Sequence, residues 1–252
     1  MGENQPGDRE ETPGIGTEPD GKLARLLRSL APELRAELEP IWRRRHHERG
    51  DVLLSEDEDG GIVGYVIEGL LGMVKQLPDG RRHIIGLLVP SDMFGRAFDG
   101  SSGYQIEALA DSTVQICDRA RFEEIVSRSP EAEHLFLVNV LDELDAAREW
   151  VIVLGGQKIV QRLASFLFIL CRRKRRADSP DGYDAPINLR LVIRRRDLAH
   201  YLGSRPESVS RAFHELEDAG LVRMNTPYDI DVLDLPGLVE AAGDDLVLDD
   251  DP

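Results

Sequence analysis

The chain has 252 residues, of which 41% are hydrophobic and 31% are charged, so it is long enough for one large domain or two modest ones with a substantial core. No apolar run approaches the roughly 20 residues that span a bilayer, and residues 1–21 lack the apolar segment of a secretory signal, which excludes a membrane protein and a secreted one. The two cysteines, Cys117 and Cys171, are too few for a disulfide framework or a four-thiolate metal site, and we expect a cytoplasmic protein.

The net charge of −16 is concentrated at the two ends of the chain. Residues 1–20 hold six acids and one arginine, and residues 229–252 hold nine acids and no base. We therefore interpret residues 1–21 and 236–252 as disordered acidic tails. Residues 188–223 carry seven arginines against five acids, and the run RRKRR lies just upstream at 172–176. A local basic surface of this kind can bind phosphate, so the acidic total does not exclude a nucleic-acid partner.

The first half of the chain predicts short helices around a small β domain. Residues 22–40 are typical of two short amphipathic helices separated at Pro32. Between 51 and 120, short runs of Val, Ile and Leu alternate with turn dipeptides, which predicts a small antiparallel barrel or sandwich. Residues 121–128 predict one further brief helix.

A long helix is predicted from about Pro130 to about Leu154, where Gly155 and Gly156 follow. Its apolar residues recur at intervals of 4, 3, 4 and 3, the spacing of two helices that pack along each other. We expect these residues to form a dimer seam that needs no ligand, with core packing inside one chain as the alternative. The seam consists of Val140, Leu144, Ala147, Val151 and Leu154. Leu137 and Leu141 form an offset stripe that we expect to pack onto the barrel.

The C-terminal part predicts a helix at 157–171, a loop at 178–184, a strand at 187–193 and a hairpin at 222–232. Between the strand and the hairpin, a helix over 194–202 meets a second helix ending near Ala219 through the turn Gly203-Ser204. Val209, Phe213 and Leu216 are spaced to form the buried side of the second helix. Two short helices joined in this way form a helix-turn-helix, whose second helix enters the DNA major groove by its N-terminal end.

Glu207, Ser210 and Arg211 fall on the outward face of that second helix, in its first turns. Arginine pairs with guanine, glutamate accepts from cytosine, and serine contacts several base edges, so these three are the candidate base-reading residues. A helical hairpin with a solvated polar face is the alternative, and the basic flank and the hairpin weigh against it. The candidate contacts to the DNA backbone are Arg194, Arg195, Arg196, Arg205 and Ser208.

Several segments carry a family resemblance: PSDMFG at 90–95, the long helix, RLASFLFIL at 162–170 and LGSRPESVSRAFHELEDAGLV at 202–222. Through them, residues 22–235 resemble the CRP/FNR superfamily of bacterial transcription regulators. The resemblance implies an α+β chain with a β-roll, a cyclic-nucleotide-binding-like jelly roll, at 22–128. It further implies a dimerisation helix at 129–155 and a winged helix-turn-helix DNA-binding domain at 156–235. The implied partners are double-stranded DNA, a second copy of the chain and RNA polymerase, with no membrane.

The resemblance also indicates a branch and a DNA site. FNR and FixK-like recognition helices carry the pattern Glu-x-x-Ser-Arg, which is present here from Glu207 to Arg211. CRP-like helices have an arginine directly before the glutamate, where this chain has Pro206. This favours a TTGAT…ATCAA palindrome over a TGTGA type, with Arg211 reading the guanine and Glu207 its neighbourhood.

The sensor chemistries of the superfamily find little support in these residues, and we expect no cofactor. Cyclic-nucleotide binders have a Glu after Phe-Gly and a later Arg-Ser pair, where this chain has Arg96 and Ser102-Gly103, so cyclic AMP binding is not expected. An iron–sulfur cluster is excluded, because residues 1–50 contain no cysteine. Haem is left as an alternative, although the chain contains no haem-attachment motif. The histidines available to haem are His46, His47, His83 and His134.

Cys171 lies beside the basic run at 172–176, and nearby cations lower a thiol pKa, so it is the better redox candidate of the two cysteines. Inert packing is the alternative for both thiols. The leading hypothesis is a DNA-binding activator that contacts RNA polymerase, in control of respiration, microaerobic growth or nitrogen-oxide metabolism. The second is a regulator whose β-roll binds an unidentified small molecule. An enzyme is not expected, because no nucleophile–base pair, phosphate-binding loop or metal-ligand cluster is present.

Overall fold

In the computed structural model, the residues described are 12–13, 22–56, 61–78, 80, 82–98, 100, 102–155, 158–178 and 186–243. Their contacts divide the chain into two units, residues 1–143 and 144–252. Each unit combines helices with antiparallel strands, which confirms the predicted α+β class. Within these ranges no helix combines the length and apolarity that crossing a membrane requires.

The first unit begins with a two-residue strand, β1 (Thr12–Pro13), and the predicted helix pair, α1 (Lys22–Ser29) and α2 (Pro32–Leu38). Pro32 occupies the first turn of α2, where its missing N–H costs no hydrogen bond. A 3-10 turn, Glu39–Ile41, leads into the sheets. Outside Thr12–Pro13, the segment predicted to be a disordered tail lies beyond the described residues.

Eight further strands form two antiparallel sheets, which confirms the predicted small barrel or sandwich. One sheet has the order β1-β2-β9-β4-β7 and the other β3-β8-β5-β6. Val66, Leu71, Ile106 and Val114 are almost completely buried between them, because alternate residues of each strand face inward. The strands are β2 (Arg43–His47), β3 (Val52–Leu54), β4 (Ile62–Glu68), β5 (Leu71–Gln76), β6 (Arg82–Leu88), β7 (Met93–Phe94), β8 (Gln105–Ala108) and β9 (Ser112–Asp118).

The barrel is followed by α3 (Arg119–Val126) and the long helix α4 (Pro130–Gly155). Asp118 caps α3, since its Oδ1 accepts a hydrogen bond from the Arg121 N–H at 2.9 Å. A second core joins these helices to the sheet through aromatic contacts. Trp42 lies 5.7 Å from Tyr65 and 6.0 Å from Phe122, measured between ring centroids.

The first half of α4 contacts the barrel through a different face from the one expected. Phe136 is buried in the second core, and Val140 packs partly against it. The Tyr65 hydroxyl donates a 3.0 Å hydrogen bond to the buried Asn139 Oδ1. Leu137 and Leu141 are 55% and 50% exposed, so the expectation that they pack onto the barrel is wrong. Val140, which was predicted to lie in the dimer seam, packs there instead, because it is one residue before Leu141 and thus about 100° away around the helix.

The second unit contains α5 (Ile159–Asp178), which is longer than predicted and includes the basic run. A three-stranded sheet of order β10-β12-β11 packs with the remaining helices. The predicted strand is shorter than expected, since it ends at Arg190, and the predicted hairpin is confirmed. These elements are β10 (Ile187–Arg190), α6 (Arg195–Tyr201), α7 (Pro206–Asp218), β11 (Val222–Thr226), β12 (Asp229–Val232) and α8 (Leu235–Ala242).

Helix α8 corrects the prediction that an acidic tail begins at residue 236. The Asp234 carboxylate accepts a hydrogen bond from the Gly237 N–H at 3.0 Å and so caps the helix. Leu235, Leu238 and Ala242 are buried, and α8 packs on α5. The acid-rich composition concealed this short apolar face. Residues 244–252 lie outside the described part of the chain.

Replacing Leu238 by Ala should lower the free energy of unfolding by about 2–5 kcal/mol, because its fully buried side chain would leave a cavity against α5. Urea unfolding followed by circular dichroism measures the change. Glu240→Ala, at an exposed position of the same helix, should change it by less than about 0.5 kcal/mol. Equal small effects from both variants would contradict the docking of α8.

Candidate nucleic-acid interface

The junction between α6 and α7 fixes the direction of the second helix. The Ser204 N–H donates to the Ala199 carbonyl at 2.8 Å, and the Gly203 N–H donates to the His200 carbonyl at 3.3 Å. These two bonds form a Schellman motif, which requires the left-handed backbone that Gly203 adopts at φ +62°. The predicted turn is therefore confirmed, with a physical reason for its glycine.

Arg162 of α5 supports the same junction from outside the motif. Its Nη1 donates a 2.8 Å hydrogen bond to the carbonyl of Leu202, the last residue before the turn. This bond holds the helix-turn-helix against α5. Sequence reasoning missed Arg162, because a residue 40 positions away carries no local signal for the turn it contacts.

Helix α7 presents the three predicted base-reading side chains together. Val209, Phe213 and Leu216 are buried on its inner side, as predicted. Glu207 and Arg211 are exposed and Ser210 is partly exposed, all within the first two turns. The structure therefore brings these three onto one accessible surface at the N-terminal end of the helix.

Ser208 and Arg205 flank that surface. The Arg211 Nη2 donates a 3.3 Å hydrogen bond to the Ser208 Oγ, so a candidate base reader and a candidate phosphate contact are linked before any ligand binds. Arg205 is the exposed residue that precedes α7, and its own side chain makes no capping bond. Its guanidinium is thus available to a phosphate near the helix N-terminus.

The three consecutive arginines at the start of α6 have different environments. Arg194 and Arg196 are exposed, as a backbone contact requires. The Arg195 guanidinium carbon instead lies 3.5 Å from the ring centroid of Phe213, a cation–π contact inside the motif. Burial lowers the pKa of Arg195 to about 10, so it is still protonated at pH 7. Arg195 therefore joins α6 to α7, a structural role that its prediction as a phosphate contact did not include.

The hairpin β11–β12 is tied to both helices of the motif. The Met224 N–H donates to Glu217 Oε1 of α7 at 2.9 Å, and the Leu191 N–H, just before α6, donates to the Tyr228 carbonyl at 2.6 Å. Tyr228 is 47% exposed at the tip of the hairpin. The hairpin was predicted from the sequence, whereas these contacts join it to the C-terminal part of α7 and to the segment before α6.

The carboxylates of β12 are paired with amides. Asn188 Nδ2 donates to Asp231 Oδ1 at 2.9 Å and to Asp229 Oδ1 at 2.6 Å, and Asn225 Nδ2 donates to Asp231 Oδ2 at 2.9 Å. Hydrogen bonds from Asn188 and Asn225 lower the pKa of Asp231. Asp229 and Asp231 are therefore already hydrogen-bonded to neighbouring amide side chains.

Two cations of the barrel, Arg82 and Lys75, contact neighbouring acids or carbonyls. Arg82 donates to both carboxylate oxygens of Glu107, at 2.8 and 3.2 Å. Lys75 pairs with Glu56 and also donates to the Gly103 carbonyl at 2.6 Å. In the residues that the structure describes, no three metal-ligating side chains come together.

Neither cysteine is placed for redox chemistry. Cys117 is buried in the second core, and burial raises its pKa. Cys171 is 0% exposed within α5. Oxidation needs both thiolate character and access, so the structure argues against the redox role predicted for Cys171.

Comparison with known proteins agrees with this architecture. The Crp-like helix-turn-helix domain matches residues 161–241, and the Cyclic nucleotide-binding domain matches residues 44–129. The transcriptional activator protein FnrL of Cereibacter sphaeroides is 33% identical over 215 residues, which cover 83% of this chain and 84% of that protein. The nitrogen fixation regulation protein FixK of Bradyrhizobium diazoefficiens is 33% identical over 192 residues, covering 76% and 78%.

A solved structure shows the same fold. FixK2 from Bradyrhizobium japonicum superposes with a TM-score of 0.69 at 25% identity, over 80% of this chain and 97% of that one. The helix-turn-helix geometry, the barrel and the extent of these matches together show that the chain is a DNA-binding transcription regulator and belongs to the FixK/FNR branch of the CRP/FNR family.

Proposed function

We propose that the chain acts as a homodimeric transcription activator that binds a TTGAT…ATCAA palindrome and contacts RNA polymerase. The observation that carries the proposal is the exposed first part of α7, where Glu207, Ser210 and Arg211 share one face behind Pro206. FnrL is named a transcriptional activator protein, which supports activation, and FixK is named a nitrogen fixation regulation protein. The proposed role in respiratory, microaerobic or nitrogen-oxide gene control follows from the resemblance to the FNR and FixK-like branch.

In this proposal Arg211 and Glu207 contact the bases. A guanidinium donates two hydrogen bonds to guanine O6 and N7, and a carboxylate accepts from the cytosine amino group. To reach a base, Arg211 must give up its hydrogen bond to Ser208. That bond is long and exposed, so its loss costs little free energy. Ser208 only accepts in that bond, so its own hydroxyl hydrogen is available to a phosphate oxygen. The phosphate contacts are completed by Arg194, Arg196 and Arg205.

Dimerisation uses the exposed apolar stripe of α4. Leu144, Val151 and Leu154 are 45%, 67% and 40% exposed in the single chain, and Ala147 is exposed between them. Leu137 and Leu141 extend the stripe towards the start of the helix. Burying these side chains between two copies is favourable without any ligand, so protein level sets activity.

A small-molecule effector, haem included, in the barrel is the second candidate, favoured by the match to the Cyclic nucleotide-binding domain. Against a cyclic nucleotide stand Arg96 and Ser102-Gly103 at the ligand positions of the resemblance. A thermal-shift screen of the purified protein separates the two candidates, since stabilisation by a bound molecule favours the second.

Replacing Arg211 by Ala should weaken binding to TTGAT…ATCAA by about 1–3 kcal/mol and relax the preference at one base pair, because one bidentate contact is lost. Mobility shifts with ligand-free protein on TTGAT…ATCAA, TGTGA…TCACA and single-base variants measure both effects. Glu215→Ala, exposed further along α7, should leave the base preference unchanged. An unaltered preference profile in the Arg211 variant would refute its assignment.

Substitutions of Arg196 and Arg195 should have different effects, although the two residues are adjacent. Arg196→Ala should weaken binding to all DNA sequences alike and reduce the salt slope by about 1, because one phosphate contact is lost. Arg195→Ala should instead lower the free energy of unfolding by roughly 0.5–2 kcal/mol, through loss of the contact with Phe213. Salt-dependent binding and urea unfolding of both variants test this division. Indistinguishable variants would contradict it.

Ligand-free protein should sediment as a dimer at micromolar concentration, and Leu144→Glu should make it monomeric, because a charge on each copy would be buried in the seam. Asp142→Lys places a charge at an exposed position outside the stripe and should leave the dimer intact. Analytical ultracentrifugation of the three proteins distinguishes these results. A monomeric parent protein would overturn ligand-free dimerisation.

A further inference from the structure

Helix α4 has two different faces beside the barrel. The side chains of the face that packs on the barrel are buried or partly buried: Phe136, Asn139, Val140 and Glu143. The other face, called the leucine face, carries three exposed side chains at helical spacing: Leu137, Leu141 and Leu144. Hydrophobicity alone would favour the reverse arrangement, because the packed face contains an amide and a carboxylate and the exposed one contains three leucines.

Two hydrogen bonds join the packed face of α4 to the barrel. The Tyr65 hydroxyl donates to the Asn139 Oδ1 at 3.0 Å, and the two residues are only 2% and 7% exposed. One turn further along α4, the Glu143 Oε1 accepts from the Met93 N–H at 3.3 Å. Tyr65 of β4 and Met93 of β7 lie opposite each other in one sheet. Two acceptors on one face of α4 therefore meet two neighbouring donors.

The buried Tyr65 hydroxyl needs an acceptor. Burial, more than the nearby Glu143 carboxylate, raises the pKa of Tyr65, so the phenol keeps its proton at neutral pH. A buried donor that loses its acceptor destabilises the packing around it. If α4 were turned by about 100° about its axis, Leu137 and Leu141 would face the barrel and would offer the hydroxyl no acceptor.

We propose that the hydrogen bond between Tyr65 and Asn139 selects the face of α4 that packs on the barrel, and thereby keeps the leucine face available to a second copy of the chain. Asn139 is thus a positioning residue, which acts through the orientation of α4. Single buried polar residues fix the register of coiled coils in a similar way. The role in dimerisation rests on the proposed function, whereas the choice of face does not.

Conservative substitutions separate this role from a general effect on stability. Tyr65→Phe leaves the Asn139 oxygen buried without a donor, so a turned helix that exposes Asn139 to water and packs leucines on the phenyl ring becomes more favourable. Tyr65→Phe/Asn139→Leu removes both polar groups, and the original packing becomes favourable again. The double variant should therefore reverse the effect of the single one.

Maleimide labelling of one added cysteine, Val140→Cys or Leu141→Cys, measures which face is covered. Both are placed in a chain that also carries Val151→Glu, a charge at a 67% exposed position of the same helix that should keep the chain monomeric. The covering measured is then that of the barrel and not that of a second copy. Mass spectrometry of the labelled peptides distinguishes the added thiol from the buried Cys117 and Cys171.

With Tyr65 intact, Leu141→Cys should react about tenfold faster or more than Val140→Cys, because only the second is covered. Tyr65→Phe should reduce this ratio by about fivefold or more, and Tyr65→Phe/Asn139→Leu should restore it. Tyr104→Phe, in the other core of the barrel, is the matched control and should leave the ratio unchanged. A ratio that is insensitive to Tyr65→Phe, or that the double variant does not restore, would disprove the selection of the face.

Sedimentation of the chain without Val151→Glu tests the consequence for the dimer. Tyr65→Phe should raise the dimer dissociation constant by about fivefold or more, because part of the population packs its leucine face on the barrel. Tyr65→Phe/Asn139→Leu should keep the parent value, and an unchanged constant for Tyr65→Phe would rule out the role in dimerisation. A monomeric parent chain would instead refute the proposed dimer, and the labelling ratios would still decide the role of Asn139.

Discussion

The contact between Arg195 and Phe213 determines how the DNA-binding unit presents itself. Phe213 is completely buried, and the Arg195 guanidinium covers its ring at 3.5 Å. Because the two residues lie on α6 and α7, the contact joins the two helices on the side where Val209, Phe213 and Leu216 are buried, and this burial sets the rotation of α7 about its axis. Once Phe213 faces inward, Glu207, Ser210 and Arg211 must face outward. The Arg162 bond to the Leu202 carbonyl then fixes the motif on α5.

The local parts of this arrangement could be predicted from the sequence. The glycine turn, the spacing of Val209, Phe213 and Leu216, and the alternation of strand residues are properties of neighbouring positions, and they specified the helix-turn-helix and the barrel. Arg195 and Arg162 could not be assigned, because the groups they contact are distant in sequence. A run of arginines is compatible with solvent, phosphate or an aromatic ring until the fold decides.

Helices α4 and α8 show two further limits of sequence patterns. On α4, two heptad stripes share Leu144 and Val151, and only the contacts of Phe136 and Asn139 with the barrel reveal which stripe stays exposed. At α8, the acidic composition of the segment led to the prediction of a disordered tail, although the helix has an apolar face of three residues. The sequence pattern predicted helix α4 but not which of its faces is exposed, and it did not predict helix α8. Both the orientation and the burial of a helix depend on what it packs against.

The glycines that bound the recognition helix have a consequence for sequence variation. A Cβ at Gly203 would meet only the Arg162 Nη1 at 3.5 Å, and one at Gly220 would meet nothing within 4 Å. Both positions therefore have room for a side chain. Their φ values of +62° and +74° demand a backbone of left-handed conformation. Asparagine, which adopts that conformation more readily than other side chains, is thus the mildest replacement, whereas valine or isoleucine would be strained because their branched Cβ crowds the adjacent backbone.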